Sequence, residues 1–282
     1  MMSCAYGFLF TESSPTLASL AFIAGVTAVA AAINSVAGGG RILTFSALAA
    51  ILPADPSRLV IANATSTIGL WPGTLSAAWE YRHERTGQPK WSLWLLLPSV
   101  AGSVLGTLLV LVLPTTYFDS IVPLLIFLAA TLFAVQPYLS KHLSKKVDGK
   151  EPHSTEHPKT KTLLLAATLQ FFMGMYGGYF GAGNGILMLA VLGGLGLGDT
   201  HRLNGFKNLL AMVISACAAL TFMLTSFTSS PIVAWPEVGI MAIAAIIGGL
   251  VGGRLARQYH PNTIRKCIAV IGYGLAGYYF LT

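Results

Sequence analysis

The residues able to do chemistry in this sequence are few, and most sit in apolar surroundings. Arg41 follows Gly38, Gly39 and Gly40 in "INSVAGGGRILTF", and Asn184, 144 residues after Gly40, stands between Gly183 and Gly185 in "GAGNG". Lys207 and Asn208 lie in the apolar stretch after the second cluster. Asn63 occupies the matching position after the first, and Asn63 and Lys207 each come five residues after an arginine, Arg58 and Arg202. A charge at membrane depth is costly unless it faces a cavity, a partner or the interface. Arg41 has the planar fork suited to bidentate contact with an oxyanion such as a carboxylate. Lys207 can add a second positive charge, and Asn63 or Asn208 can donate hydrogen bonds. This is anion-binding chemistry.

Other chemistries find no residues. There is no GxxxxGK[ST] loop for ATP, no HExxH, and no Ser/His/Asp arrangement. The three cysteines, Cys4, Cys217 and Cys267, have no CxxC spacing. His142, His153 and His157 sit in a charged segment without metal-ligand spacing. Glu80, Asp119, Asp199 and Glu237 fall near the ends of apolar runs, so no mid-membrane acid or base is visible. No catalytic residue, metal or cofactor is expected.

The elements that must position these residues are membrane helices. Hydrophobic residues make up 54% of the 282 and charged residues only 10%, well below the roughly one quarter of a soluble domain. Eight apolar runs are each near the length that crosses hydrocarbon: Leu17–Val36, Leu59–Trp79, Trp91–Leu113, Ile121–Leu139, Thr162–Phe180, Leu203–Phe227, Val238–Ala256 and Ile264–Leu281. An all-α, polytopic helical membrane protein follows. The start, "MMSCAYGFLFTESSPT", lacks the basic region and cleavage pattern of a removed signal peptide. The net charge of +7 is read as a marker of loop orientation rather than of nucleic-acid binding.

Shifting the chain by 144 residues superimposes two halves. Gly39, Ile42, Leu43, Leu48, Asp55, Arg58 and Leu59 fall on identical residues, and Trp91 falls on Trp235. Gly102 and Gly106 align, after a small shift, with Gly248 and Gly252, two pairs spaced for close helix packing. The expected organisation is an N-terminal segment (1–16), a first repeat (17–139), a charged cytoplasmic linker (140–161) and a second repeat (162–282). If all eight runs crossed fully, the basic cluster Arg254, Arg257, Arg265 and Lys266 would lie opposite the basic linker. If the first run of each half instead folds back at its glycines, the halves become inverted copies. Three basic residues in 82–90, six in the linker, Arg202 and the last four then share one side, which places 14 of the 17 inside. Each repeat is accordingly a broken, re-entrant helix pair followed by three transmembrane helices. Broken backbone at membrane depth needs protein or a wet cavity to satisfy it, and paired breaks in inverted halves point to a transport site.

Each feature has a plainer alternative. The glycines could open half-helix N-termini, near Ile42 and Ile186, toward an anion, or could simply allow close packing or a kink. Arg41 could face the ligand or anchor at headgroups, and Lys207 could snorkel to the interface. Asn34, Asn184 and Gln170 could contact ligand or join helices. Pro72 and Gly73 in "LWPGTL" should kink or locally unwind their helix, and Trp91 and Trp235 fit interfacial anchors.

The runs "AAINSVAGGGRILTFSALAAI…DPSRLVIANATSTIGLWPGTLSAAWEYRHE" and "GMYGGYFGAGNGILMLAVLGGLGLGDTHRLNGFKNLLAMVISACAALTF" resemble the TauE/SafE family of sulfite and organosulfonate exporters from about Leu17 onward. Where that family commonly continues its glycine run, this chain has Arg41. The resemblance implies a secondary transporter of a small sulfur-containing anion in a bacterial inner membrane, working by alternating access. Its expected partners are that anion, the lipid bilayer and, as a further candidate, a second copy of the chain. The expected binding residues are Gly38, Gly39, Gly40, Arg41, Asn63, Gly183, Asn184, Gly185, Lys207 and Asn208. An anion channel or carboxylate transporter is the near alternative, and a membrane-embedded enzyme the distant one.

Overall fold

The computed structural model describes residues 16–37, 39–80, 82, 90–148, 159–197, 200–228, 231–255 and 261–281. Gly38, Asp199 and the linker residues 149–158 lie outside them. Among the described residues there are ten α-helices and no strand: α1 (Leu17–Ala37), α2 (Arg41–Ile51), α3 (Arg58–Glu80), α4 (Leu96–Val112), α5 (Thr115–Asp148), α6 (Thr160–Tyr179), α7 (Asn184–Gly194), α8 (Thr200–Thr228), α9 (Trp235–Leu255) and α10 (Pro261–Leu281). A 3-10 turn, Lys90–Leu95, leads into α4. Shifted by 144, α2 falls one residue from α7.

Local chemistry sets the ends. Leu52 and Leu113 precede prolines, which disfavour the helical region for the residue before them. Both are extended, with ψ 146° in each case, and they terminate α2 and α4. Gly196, at φ +69°, ends α7 in the left-handed conformation glycine favours. α2 and α7 have 11 residues each, about 16 Å at 1.5 Å per residue and half of a hydrocarbon core of roughly 30 Å. They begin at Arg41 and Asn184 rather than at Ile42 and Ile186. α5 continues to Asp148, so residues 140–148 of the polar segment are helical rather than loop. α3 is an unbroken helix through Pro72, which corrects the expected local unwinding.

The spaced glycines bring helix backbones into contact. A Cβ on Gly102 would strike the Phe171 carbonyl, and one on Gly106 the Met175 carbonyl. Likewise Gly248 lies on the Ala28 carbonyl and Gly252 on Ala32. Each step of four residues on one helix matches four on the other, so α4 runs parallel to α6 and α9 parallel to α1. Gly69 on Met241 and Gly73 on Ala245 make α3 parallel to α9 as well. α1 and α3 therefore run the same way although α2 lies between them.

Among the described residues, five helical segments are long and apolar enough to cross a membrane: Leu17–Ser35, Trp91–Val112, Thr115–Gln136, Arg202–Thr228 and Trp235–Gly252. Those over α3, α6 and α10 are not among these five; α3 and α6 carry the polar and glycine-rich stretches discussed below. Large apolar side chains such as Phe22, Ile243, Ile247, Val270 and Phe280 are exposed, a surface suited to lipid. The largest buried cluster unites both halves, with Phe45 of α2 edge-on to Phe180 at 5.2 Å between ring centroids.

Candidate functional site

The break between α6 and α7 is closed by hydrogen bonds. A helix leaves its last carbonyls without intrahelical donors, and leaving one buried and unpaired costs about 1–3 kcal/mol. Here Arg41 Nη1 donates to the carbonyls of Gly177 (3.1 Å) and Phe180 (2.9 Å). Thr107 Oγ1 donates to that of Gly178 (3.1 Å), and Asn63 Nδ2 to that of Tyr179 (2.9 Å). The Tyr176 hydroxyl donates to the Ala182 carbonyl at 2.6 Å. Backbone N–H groups complete the run, Phe180 and Gly181 to Tyr176, Asn184 to Gly181, and Ile186 to Gly183. Every carbonyl from Tyr176 to Gly183 is thus satisfied, and α2, α3 and α4 each reach across to supply a side-chain donor.

Two glycines make the crossing possible. Gly181 has φ +73°, a left-handed conformation, and a Cβ there would collide with Arg41 Nη1. Gly177, one turn earlier, would press a Cβ into the Asn184 side chain and to 2.6 Å from Ile214. Gly183, at φ +74°, precedes the first residue of α7. In the other break Gly40 has an ordinary helical φ of −60° and lies against the Ala30 carbonyl, while Gly39 lies against the Phe133 ring.

A cavity of about 40 Å³ opens beside this junction, roughly three times the space a single water needs. Its polar lining is Asn34, Arg41, Thr74, Asn184, Lys207, Asn208 and Ser215, with the backbone of Gly177, Gly181 and Gly185. Arg41 is 7% exposed and Lys207 1%. No carboxylate is among the described residues that line it, nor do these residues hold any group of three His, Cys, Asp or Glu fit for a metal. Arg41 has a partial counter-charge in the carbonyl end of α6, the negative pole of a helix. Two of the amide side chains that line the cavity have a buried polar atom without a hydrogen-bond partner among the described residues: Oδ1 of Asn184 and Nδ2 of Asn208, each residue 5% exposed. The N-terminus of α7, with its positive dipole end, adjoins the same space through Asn184 and Gly185. The arrangement can hold a compact anion by two cations, amides and a helix N-terminus.

Of the residues expected from sequence, Arg41, Asn184, Gly185, Lys207 and Asn208 meet at this cavity. Gly39, Gly40, Asn63 and Gly183 are not among its described lining, and Gly38 lies outside the described residues. The register match between Asn63 and Lys207 does not become a shared position, because Asn63 is bonded to Tyr179 behind the break. Burial removes the headgroup reading of Arg41. Asn34 lines the cavity, whereas Gln170 joins helices, its Nε2 donating to Ser99 Oγ at 2.9 Å. Thr107, Gly177, Thr74 and Ser215 carried no sequence signal. Small and hydroxylated residues are common in membrane helices, and only the fold shows which ones meet the break.

A many-helix membrane protein with a buried, cation-lined cavity at a helix break has the architecture of a transporter. Residues 22–279 match the family described as sulfite exporter TauE/SafE, and the chain belongs to it. It is 27% identical over 260 residues to "Probable membrane transporter protein ORF9" of Sinorhizobium sp, covering 91% of this chain and 90% of the relative. It is 26% identical over 259 residues to a "Probable membrane transporter protein" of Haemophilus influenzae, covering 90% and 91%. No solved structure matches the chain. The chain is an integral membrane protein of a transporter family, not an enzyme.

Proposed function

We propose that the chain is a secondary transporter that exports a small sulfur-containing anion, sulfite or an organosulfonate, across a bacterial inner membrane. The anion binds in the cavity between Arg41 and Lys207, with Asn184, Asn208 and the α7 N-terminus completing the site. The observation that carries this reading is the pair of buried cations facing a space with no carboxylate among its described lining. Holding two cations at membrane depth is costly, and an anion between them offsets that cost. An inside-negative potential favours its exit by about 2.3 kcal/mol per charge per 100 mV.

Alternating access would come from two five-helix halves in inverted orientation, 17–139 and 162–282. The parallel course of α1 and α3 supports a first helix pair that returns to its starting face. Cysteine labelling at position 199 tests this topology, and reaction from outside would sink it. Transport is tested in proteoliposomes loaded with sulfite. Saturable efflux and counterflow are expected, with both abolished in Arg41→Ala and Lys207→Ala. Ohmic current without exchange would favour a channel, and unchanged transport in both variants would remove the site.

A further inference from the structure

We propose that Asn63 and Thr107 are positioning residues of the anion site, acting from behind the α6 break. The proposal rests on the anion reading of the cavity. Neither residue is among its described lining, yet both are fully buried and donate to consecutive carbonyls, Tyr179 and Gly178. These two carbonyls lie between the two held by Arg41, Gly177 and Phe180. The four acceptors form the negative end of α6, and they compete with any anion for the guanidinium.

A guanidinium has five N–H donors in a fixed fork, and the two bonds to the α6 end are made by Nη1 alone. With Gly178 and Tyr179 satisfied by other groups, the rest of the fork need not turn to them and can serve the cavity. Without those groups, two buried carbonyls lack donors next to the strongest donor available, and Arg41 is drawn onto them. The Thr107 hydroxyl has one proton shared between the Gly178 carbonyl and the Ser103 carbonyl at 2.9 Å. Replacing it with a methyl keeps the shape and removes only that donor. Asn63 and Thr107 therefore set how freely Arg41 meets the anion, although they do not touch it.

The test is sulfite binding by titration calorimetry on the purified full chain, with methanesulfonate as a second probe. Thr107→Val and Asn63→Leu should each weaken binding about tenfold, the scale of one hydrogen bond. Thr107→Ser, which restores the hydroxyl, should return affinity to within about twofold of the parent. A Thr107→Val protein that binds like the parent, or is less heat-stable with unchanged affinity, overturns the proposal. So does a Thr107→Ser protein as weak as Thr107→Val. Should Thr107→Val not fold, Asn63→Leu decides by the same criterion. A parent that binds neither probe overturns the anion reading and this proposal together. A parent that binds, with variants that bind equally well, overturns this proposal alone.

Discussion

The two glycine-rich breaks look alike in sequence and solve different physical problems. At Gly39 and Gly40 the missing side chains let the chain lie against α1 and α5, on the Ala30 carbonyl and the Phe133 ring, and the described backbone at Gly40 is ordinary. At Gly181 and Gly183 the backbone itself is left-handed, and the space above Gly181 is filled by the guanidinium of Arg41. Among the described residues, one break is a packing joint and the other a conformational one. The arginine of the packing joint completes the conformational joint, so the two breaks contribute unequally to the site. Equivalent positions in two halves need not share a role once one half supplies caps and the other supplies the lining.

The comparison breaks first, and with the largest effect, at Gly181. Gly181→Ala adds left-handed strain of about 1–2 kcal/mol and displaces Arg41, so both thermal stability and sulfite binding should fall steeply. Arg41→Ala comes next. It should abolish binding and also uncap Gly177 and Phe180, lowering stability by about 1–3 kcal/mol for each orphaned carbonyl. Lys207→Met should abolish binding with a smaller change in unfolding temperature. Gly40→Ala should destabilise by about 1–3 kcal/mol through overpacking, and Gly40→Asn should be no better, because the obstacle is the Ala30 backbone. The smallest effect sharpens the contrast most. At Gly183 the nearest atom to an added Cβ is 3.5 Å away, so Gly183→Ala should cost only the strain, about 1–2 kcal/mol. Gly183→Asn should cost less, since asparagine tolerates that conformation. Equal losses for Asn and Ala at 183, or a rescue by Asn at 40, would erase the distinction between the joints.

Much of the architecture was legible because its signals are periodic. Apolar runs, the 144-residue repeat and the spaced glycines all express requirements that act along one helix or between two. The convergence of Arg41, Asn184, Lys207 and Asn208 was legible as well, since polar residues beside paired breaks have few places to go. Other features were not. Pro72 signals a kink or local unwinding, but α3 stays helical through it, and a Cβ on neighbouring Gly73 would lie 2.8 Å from the Ala245 carbonyl oxygen of α9. Asn63 shares the register of Lys207, and its role is set by which carbonyl lies opposite, a property of tertiary geometry. Thr107 is one hydroxyl among many on membrane helices, and nothing local marks the one that meets Gly178.

The most direct test is a structure of the protein with selenite, a heavier analogue of sulfite, located by the anomalous scattering of selenium. A single selenium peak in the cavity bounded by Arg41, Asn184, Lys207 and Asn208 is expected, absent from Lys207→Met. A cavity without selenium, with the ion held elsewhere on the chain, would contradict the site.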